Sequence, residues 1–309
     1  MKDKFYTWKE TGKAGIIIFL ILAVISVPFY MLVDNGYYYQ GDLRTREKQY
    51  ALEEENTIDC LFIGDSETLA TFSPLLFFHD SGFTSYNFGT VGQWAGDLPV
   101  ITKYALKTQN PSLIVLDPNS LFLNVNDDFY QLSKTLPLFH YHEYFMRYSL
   151  QAIHANETKG FYLNTDVKPY EGNLDYMNQI DGKIITATSM KYLNEFLQIC
   201  RENNVQLMVV NAPSALNWTY SKETIVQEWC DDNHIDYLDY NAPDKLKEIG
   251  IDWQTDTRDK GDHVNVYGST KVCKDFEKVL KNKYSLPDHR NDSEYQSWED
   301  LYQKIDVYQ

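Results

Sequence analysis

The chain is short of cysteine and of positive charge, and each shortage excludes something. Four cysteines occur in 309 residues: Cys60, Cys200, Cys230 and Cys273. None forms a C-x-x-C pair or a metal-ligand spacing, so a zinc ribbon, a redox dithiol and a dense disulfide scaffold are excluded. Each sits in an apolar context and is expected as a buried small hydrophobe. One disulfide is allowed but not demanded. Lys and Arg number 28 against 44 Asp and Glu, a formal net charge of −16. Such acidity argues against nucleic acid or an anionic lipid surface as partner. Repeats and low-complexity blocks are also absent.

Charge is missing altogether from Ala14 to Val33. Its roughly 20 apolar residues suit a helix crossing a bilayer. Pro28 lies inside the run, which a membrane helix tolerates. Lys2, Lys4, Lys9 and Lys13 precede it, against Asp3 and Glu10. The positive-inside rule then keeps the N-terminus in the cytoplasm and places everything after Asp34 outside. The alternative is a cleaved signal peptide. No A-x-A-like site follows the run, and the run is long for a signal core.

This organises the chain as a cytoplasmic segment (1–13), a membrane anchor (14–33), a polar, partly helical stalk (34–57), a folded domain (58–284) and an acidic tail (285–309). In the tail Trp298, Leu301 and Tyr302 suggest a docked helix. Within the domain, short apolar runs mark strands at 58–63, 85–88, 113–116, 206–210 and 237–238. Helical patterns fall between them. Ser73-Pro74 opens one, 98–107 forms another, and Met190, Leu193, Phe196, Leu197 and Cys200 share a helical face. Further helices are expected at 224–230 and 272–280. Residues 121–185 break the rhythm and are rich in aromatics, which suits a lid-like insert. The alternation predicts an α/β domain with a mostly parallel sheet. A ligand would then sit beyond the C-terminal strand ends, where Ser66, Gly92 and Asn119 all fall.

Two segments carry the chemistry. Phe62-Ile63-Gly64-Asp65-Ser66 puts a serine at a strand tip. Asp259-Lys260-Gly261-Asp262-His263-Val264-Asn265 puts a histidine beside carboxylates. A serine nucleophile needs a base within hydrogen-bond reach, itself oriented by a third group. Gly-Asp-Ser could equally be a turn that caps the next helix. His140 and His142 lack companion ligands, so no metal is expected. The 24 Tyr and 6 Trp suit core packing first and sugar-stacking platforms second.

Four blocks in this order resemble the SGNH (GDSL-like) hydrolase superfamily across roughly residues 57–283. They are Gly64-Asp65-Ser66, then Asn87-Phe88-Gly89-Thr90-Val91-Gly92, then Asp117-Pro118-Asn119-Ser120, then Asp259 to His263. The resemblance implies a three-layer SGNH-like α/β fold. It makes Ser66 the nucleophile and His263 the general base. The backbone N–H groups of Ser66 and Gly92 and the side-chain amide of Asn119 would form an oxyanion hole. No cofactor is implied. The third block departs from the usual Gly-x-Asn-Asp, and Lys260 stands where the family's Asp precedes His by three. The orienting acid is therefore Asp259 or Asp262. Asp259 is favoured because it lies about one helical turn back.

A membrane anchor carrying an outward SGNH-like domain resembles the branch that works in cell-envelope polymer acylation. That implies a serine acyl esterase or O-acyltransferase acting on an envelope glycan beside a membrane-bound O-acyltransferase. The alternatives are a catalytically idle glycan-binding or scaffolding partner, and a lipid esterase.

Overall fold

The structure, a computed structural model, describes residues 8–35, 42–135 and 153–308. Parts of the expected cytoplasmic segment, stalk and insert, with His140 and His142, lie outside the described residues. The chain divides into two compact units, one of residues 1–40 with 125–153, the other of 41–124 with 154–309.

In the first unit α1 (Trp8–Asn35) encloses Pro28. Its stretch Glu10–Pro28 has a mean hydropathy of 2.1. The helix is long and apolar enough to cross a membrane, and equally suits a signal sequence. Ile16 to Ile21 are exposed. This unit also carries α6 (Asp127–Thr135).

The second unit opens with α2 (Leu43–Tyr50), capped by Asp42. Here the expected stalk is corrected. Tyr50 is fully buried and packs edge-on against Tyr86 and Phe88, with ring centroids 4.9 and 5.0 Å apart. A buried ion pair of 2.6 Å then joins Glu53 to Lys159. Residues 42–57 belong to the folded unit. Their charges hid this, because α2 buries Arg46 along with Thr45 and Tyr50 and half-buries its other charged residues.

A five-stranded sheet follows, β1 (Cys60–Ile63), β2 (Ser85–Asn87), β3 (Leu113–Leu116), β4 (Gln206–Asn211) and β5 (Asp236–Asp239). Its order is β2-β1-β3-β4-β5, and every pair is parallel. Helices cover both faces, so the fold is α/β as expected. The central strands are buried along their whole length. That is why they read as unbroken apolar runs rather than alternating ones.

Two helices after β1 matter most, α3 (Ser66–Thr71) and α4 (Pro74–Ser81). Then come α5 (Leu98–Ala105), α7 (Ala187–Glu202), α8 (Tyr220–Asn233), α9 (Pro243–Ile249) and α10 (Val266–Lys283). Phe62 of β1 stacks on Phe72 and Phe77 at 4.8 and 5.3 Å, and Phe276 of α10 meets all three rings. Ser269 Oγ on α10 donates to the Thr71 carbonyl at 2.6 Å. The helix that follows the histidine loop is thereby bolted to the helix that begins with Ser66.

The tail does dock. In α11 (Gln296–Tyr302) Trp298 is buried against Phe78, and Tyr302 stacks on His79 at 3.9 Å. The described part of the insert, 153–185, has its own anchors in buried Phe161, Tyr170 and Tyr176. All four cysteines are buried free thiols.

One glycine ties fold to site. A Cβ on Gly89 would come within 2.5 Å of the Leu69 backbone nitrogen and 2.8 Å of its Cα. Backbone cannot yield as a side-chain tip can. Gly89→Ala is therefore expected to cost about 1–3 kcal/mol and lower Tm by roughly 3–10 °C. A thermal melt checks it, and an unchanged Tm would show that the loop moves freely away from α3.

Candidate active site

Strand β1 ends at Ile63, and the chain turns through Gly64 into α3. Asp65 caps this helix, its side chain accepting from Glu67 N at 3.3 Å. The helix-cap reading of this segment therefore holds for Asp65. Asp65 caps, and Ser66 is left at the first helical position with its hydroxyl free for chemistry. Asn87 completes the scaffold. Its amide donates to the carbonyls of Thr68 and Phe72, both at 2.8 Å, and its Oδ1 accepts from Gly89 N at 2.9 Å. The Asn of the second motif thus fastens the end of β2 to the serine helix.

The histidine arrives from the other end of the chain. Asn265 caps α10, accepting from Tyr267 N and Gly268 N. Its own amide donates to the carbonyls of Asp166 and Thr255 at 3.0 and 2.8 Å. Thr257 Oγ1 accepts from Gly261 N at 2.8 Å and donates to the His263 carbonyl at 2.9 Å. The insert braces this loop, since Lys168 N donates to Thr257 O and Lys260 N to Lys168 O. Its described part is a buttress for the histidine.

These supports bring Ser66, His263 and Asp259 together. Ser66 Oγ lies 2.7 Å from His263 Nε2, and Asp259 Oδ2 lies 2.7 Å from His263 Nδ1. Asp259 Oδ1 also accepts from the His263 backbone N–H at 2.7 Å. One carboxylate thus grips the histidine at ring and backbone. Asp262 is 3.5 Å from Nδ1. Its carboxylate accepts instead from Asn217 Nδ2 at 2.6 Å, and its carbonyl accepts from Ser214 Oγ at 2.7 Å. Of the two acids left open by the sequence, Asp259 makes the short bond to the ring, while the Asp262 carboxylate bonds to Asn217.

Burial pulls the His263 pKa down, but the Asp259 hydrogen bond and the acidic surroundings of the ring outweigh it, so the pKa is raised. Burial raises that of Asp259, but its bonds to His263 outweigh this and lower it. A base works only when neutral, and the ordinary histidine value is about 6.5. The acid limb of kcat/KM is therefore expected above that value, with activity lost as pH falls through it. Stability has the opposite sign. The charged pair contributes fully below the unfolded histidine value and fades as pH rises through the folded one. A pH–rate profile with its acid limb below about 6 would contradict the pairing.

Asn119 lies near the serine, but its amide is engaged. Asn119 N donates to Asp117 Oδ1 at 3.0 Å, which sets the turn after β3. Its Nδ2 donates to Asp65 Oδ2 at 2.9 Å and to Glu67 Oε1 at 3.5 Å. Lys222 Nζ of α8 donates to its Oδ1 at 3.2 Å, which fixes the direction of the amide. Gly92 sits in an exposed turn with φ +67°, where a Cβ would meet open space. That turn starts from Thr90, whose N–H donates to the Gly64 carbonyl at 3.1 Å.

Three residues were missed by sequence reasoning: Glu67, Asn217 and Lys222. Glu67 is buried beside Ser66, its Oε2 3.4 Å from Ser66 Oγ. Asn217 Nδ2 donates to Glu67 Oε1 as well as to Asp262. Lys222 is buried over the rings of Phe122 and Trp218. Only Glu67 carried a signal, its place directly after Ser66. Glu67, Asp262 and His263 offer atoms within 4.8 Å of one another, a spacing that could hold a cation. Both His263 ring nitrogens are already committed, however, and Glu67 takes the Asn217 amide. The cluster is therefore a hydrogen-bonded network. The geometry can deprotonate a serine and return the proton to a leaving group.

No protein-family model matches the chain, and no curated protein matches it. Solved structures do. A GDSL-like lipase from Bacteroides thetaiotaomicron is 12% identical over 77% of this chain and 96% of its own, with a TM-score of 0.39. The acetyl xylan esterase AlAXEase is 17% identical over 72% and 100%, with a TM-score of 0.41. A family 3 carbohydrate esterase from Clostridium thermocellum is 14% identical over 74% and 96%, with a TM-score of 0.38. These likenesses are distant and do not bear on the reaction, which is read from the site itself.

Proposed function

We propose that this chain is a membrane-anchored, extracytoplasmic serine acyl esterase or O-acyltransferase of SGNH type, acting on an acylated cell-envelope glycan. One observation carries the chemistry, the unbroken chain from Ser66 through His263 to Asp259 at 2.7 Å for each link. His263 Nε2 takes the serine proton as Oγ attacks the acyl carbonyl. The tetrahedral oxyanion is met by the N–H groups of Ser66 and Gly92 and by the Asn119 amide, once substrate draws that amide from its carboxyl partners. Each such donor is worth about 2.7–4 kcal/mol. The imidazolium then protonates the departing alcohol. Water or a sugar hydroxyl resolves the acyl-enzyme, with His263 again the base.

The anchor reading rests on the uncharged run in α1 and its lysine-rich flank. A membrane-bound O-acyltransferase is the partner this reading supplies. Water at about 55 M wins the acyl group unless an acceptor is held in attack geometry, where effective molarity can reach roughly 10⁵ M. Small acetyl esters should therefore be hydrolysed weakly, and an envelope oligosaccharide should speed turnover. A glycan without effect would leave a plain surface esterase. The idle-scaffold alternative predicts that an organophosphonate leaves Ser66 unlabelled, whereas the enzyme reading requires a stoichiometric adduct there.

A further inference from the structure

We propose that Glu67 is a positioning residue of the acyl-transfer site that works as an uncharged acid, sharing one proton with Asp65. The inference rests on the serine reading above and goes beyond it.

The hydrogen-bond bookkeeping carries it. Ser66 has one hydroxyl proton, and the 2.7 Å contact to His263 Nε2 takes it. Glu67 Oε2, 3.4 Å away, therefore faces the lone pairs of the serine oxygen. A charged carboxylate there would repel them, and a neutral acid does not. The other oxygen, Oε1, accepts from Asn217 Nδ2 and from Asn119 Nδ2. Both amide donors thus converge on one oxygen and leave Oε2 to carry a proton. Asp65 is the neighbouring carboxyl that can take it, because the Asn119 amide bridges the two acids, at 2.9 Å to Asp65 Oδ2 and 3.5 Å to Glu67 Oε1.

Burial requires the same arrangement. Asp65 and Glu67 are each only 3% exposed. Two carboxyls in contact in so dry a place hold one negative charge between them. The surrounding charges do not change this. Asp117 bears on Glu67 from the end of β3, and Asp262 and His263 bear on it from the closing loop. Lys222 of α8 is the cation nearby, and it is shared with Asp181 at 3.8 Å. Burial first, then the charge and hydrogen bond of Asp65, raise Glu67 well above the carboxylate range. Burial raises Asp65 to about 6, although the bond from Glu67 lowers it.

Loss of the shared proton puts a second negative charge beside the oxygen that turns negative in the tetrahedral intermediate. It also tightens the hold of the carboxyls on the Asn119 amide. The site should fail on the alkaline side for this reason. Glu67→Gln reproduces the neutral acid, with a carbonyl for Asn217 and an NH₂ for Asp65, but it cannot ionise.

The test is the rate of Ser66 phosphonylation by an organophosphonate, measured on the full chain from about pH 7 to 10. The wild-type rate is expected to fall about tenfold per pH unit beyond the ionisation. Glu67→Gln should retain, relative to its own maximum, at least about tenfold more of its rate at the alkaline end. An identical alkaline fall in both proteins would assign that limb to Lys222 or Asp117 and overturn the proposal. Absence of labelling in the wild type would remove the serine reading, and this inference with it. Carbon-13 NMR of glutamate carboxyls in the wild-type chain covers a variant that does not fold. The carboxyl that responds to phosphonylation of Ser66 should be protonated at neutral pH. An ionised one overturns the proposal.

Discussion

Ser66→Ala and His263→Ala are each expected to lower kcat by about 10⁵–10⁶, and the double variant to be little worse than either. The reason is in the geometry. Among the described residues Ser66 has no other base at 2.7 Å, and His263 Nε2 has no other hydroxyl bonded to it. Once one is gone, the other has nothing left to act on. Neither change should unfold the protein. Ser66 sits at a helix start whose cap is Asp65, and Phe62, Phe72, Phe77 and Phe276 hold the helices together without it. Turnover of an activated acetyl ester and a thermal melt on the same samples check both halves. Ser66→Ala with full turnover would end the serine reading.

The second large effect separates the two aspartates. Asp259→Asn should lower kcat by about 10⁴, because an amide opposite Nδ1 favours the wrong imidazole tautomer. It also loosens the backbone grip of Asp259 Oδ1 on His263 N. Asp262→Asn should cost no more than about tenfold, since its role is to hold Asn217 and the loop. Kinetics of the two variants side by side decide the matter, and the reverse ranking would transfer the orienting role to Asp262.

Much of this was legible before any coordinates. Cys60–Ile63 and Leu113–Leu116 are buried on both faces, so composition alone marks them as central parallel strands. Only 237–238 of β5 showed as strand, because that edge strand is half wet and begins and ends in Asp. Ser66, His263 and Asp259 stood out because the proposed chemistry needs uncommon residue combinations next to turns, and the structure brings the three side chains together. Asn217 and Lys222 were not. A single Asn in a loop and a single Lys on a polar helix are ordinary, and only tertiary packing aims them at Glu67 and Asn119. The stalk was misjudged for a related reason. Burial of Thr45, Arg46 and Tyr50 depends on a partner surface around Tyr86 that lies far along the chain.

Ser66 and His263 are 197 residues apart in sequence. Contacts of such separation form late, because the chain entropy of closing the loop must be met before they contribute. During synthesis the strand, cap and helix around Ser66 can assemble long before the closing loop leaves the ribosome, since chains emerge from the N-terminus at roughly 5–20 residues per second. Throughout that interval the serine is an ordinary alcohol with no base beside it. A nascent or C-terminally clipped chain would be chemically silent towards the esters around it. On the proposed reading the hydroxyl becomes a nucleophile only when α10 seats against α3, so the appearance of activity would timestamp completion of the fold.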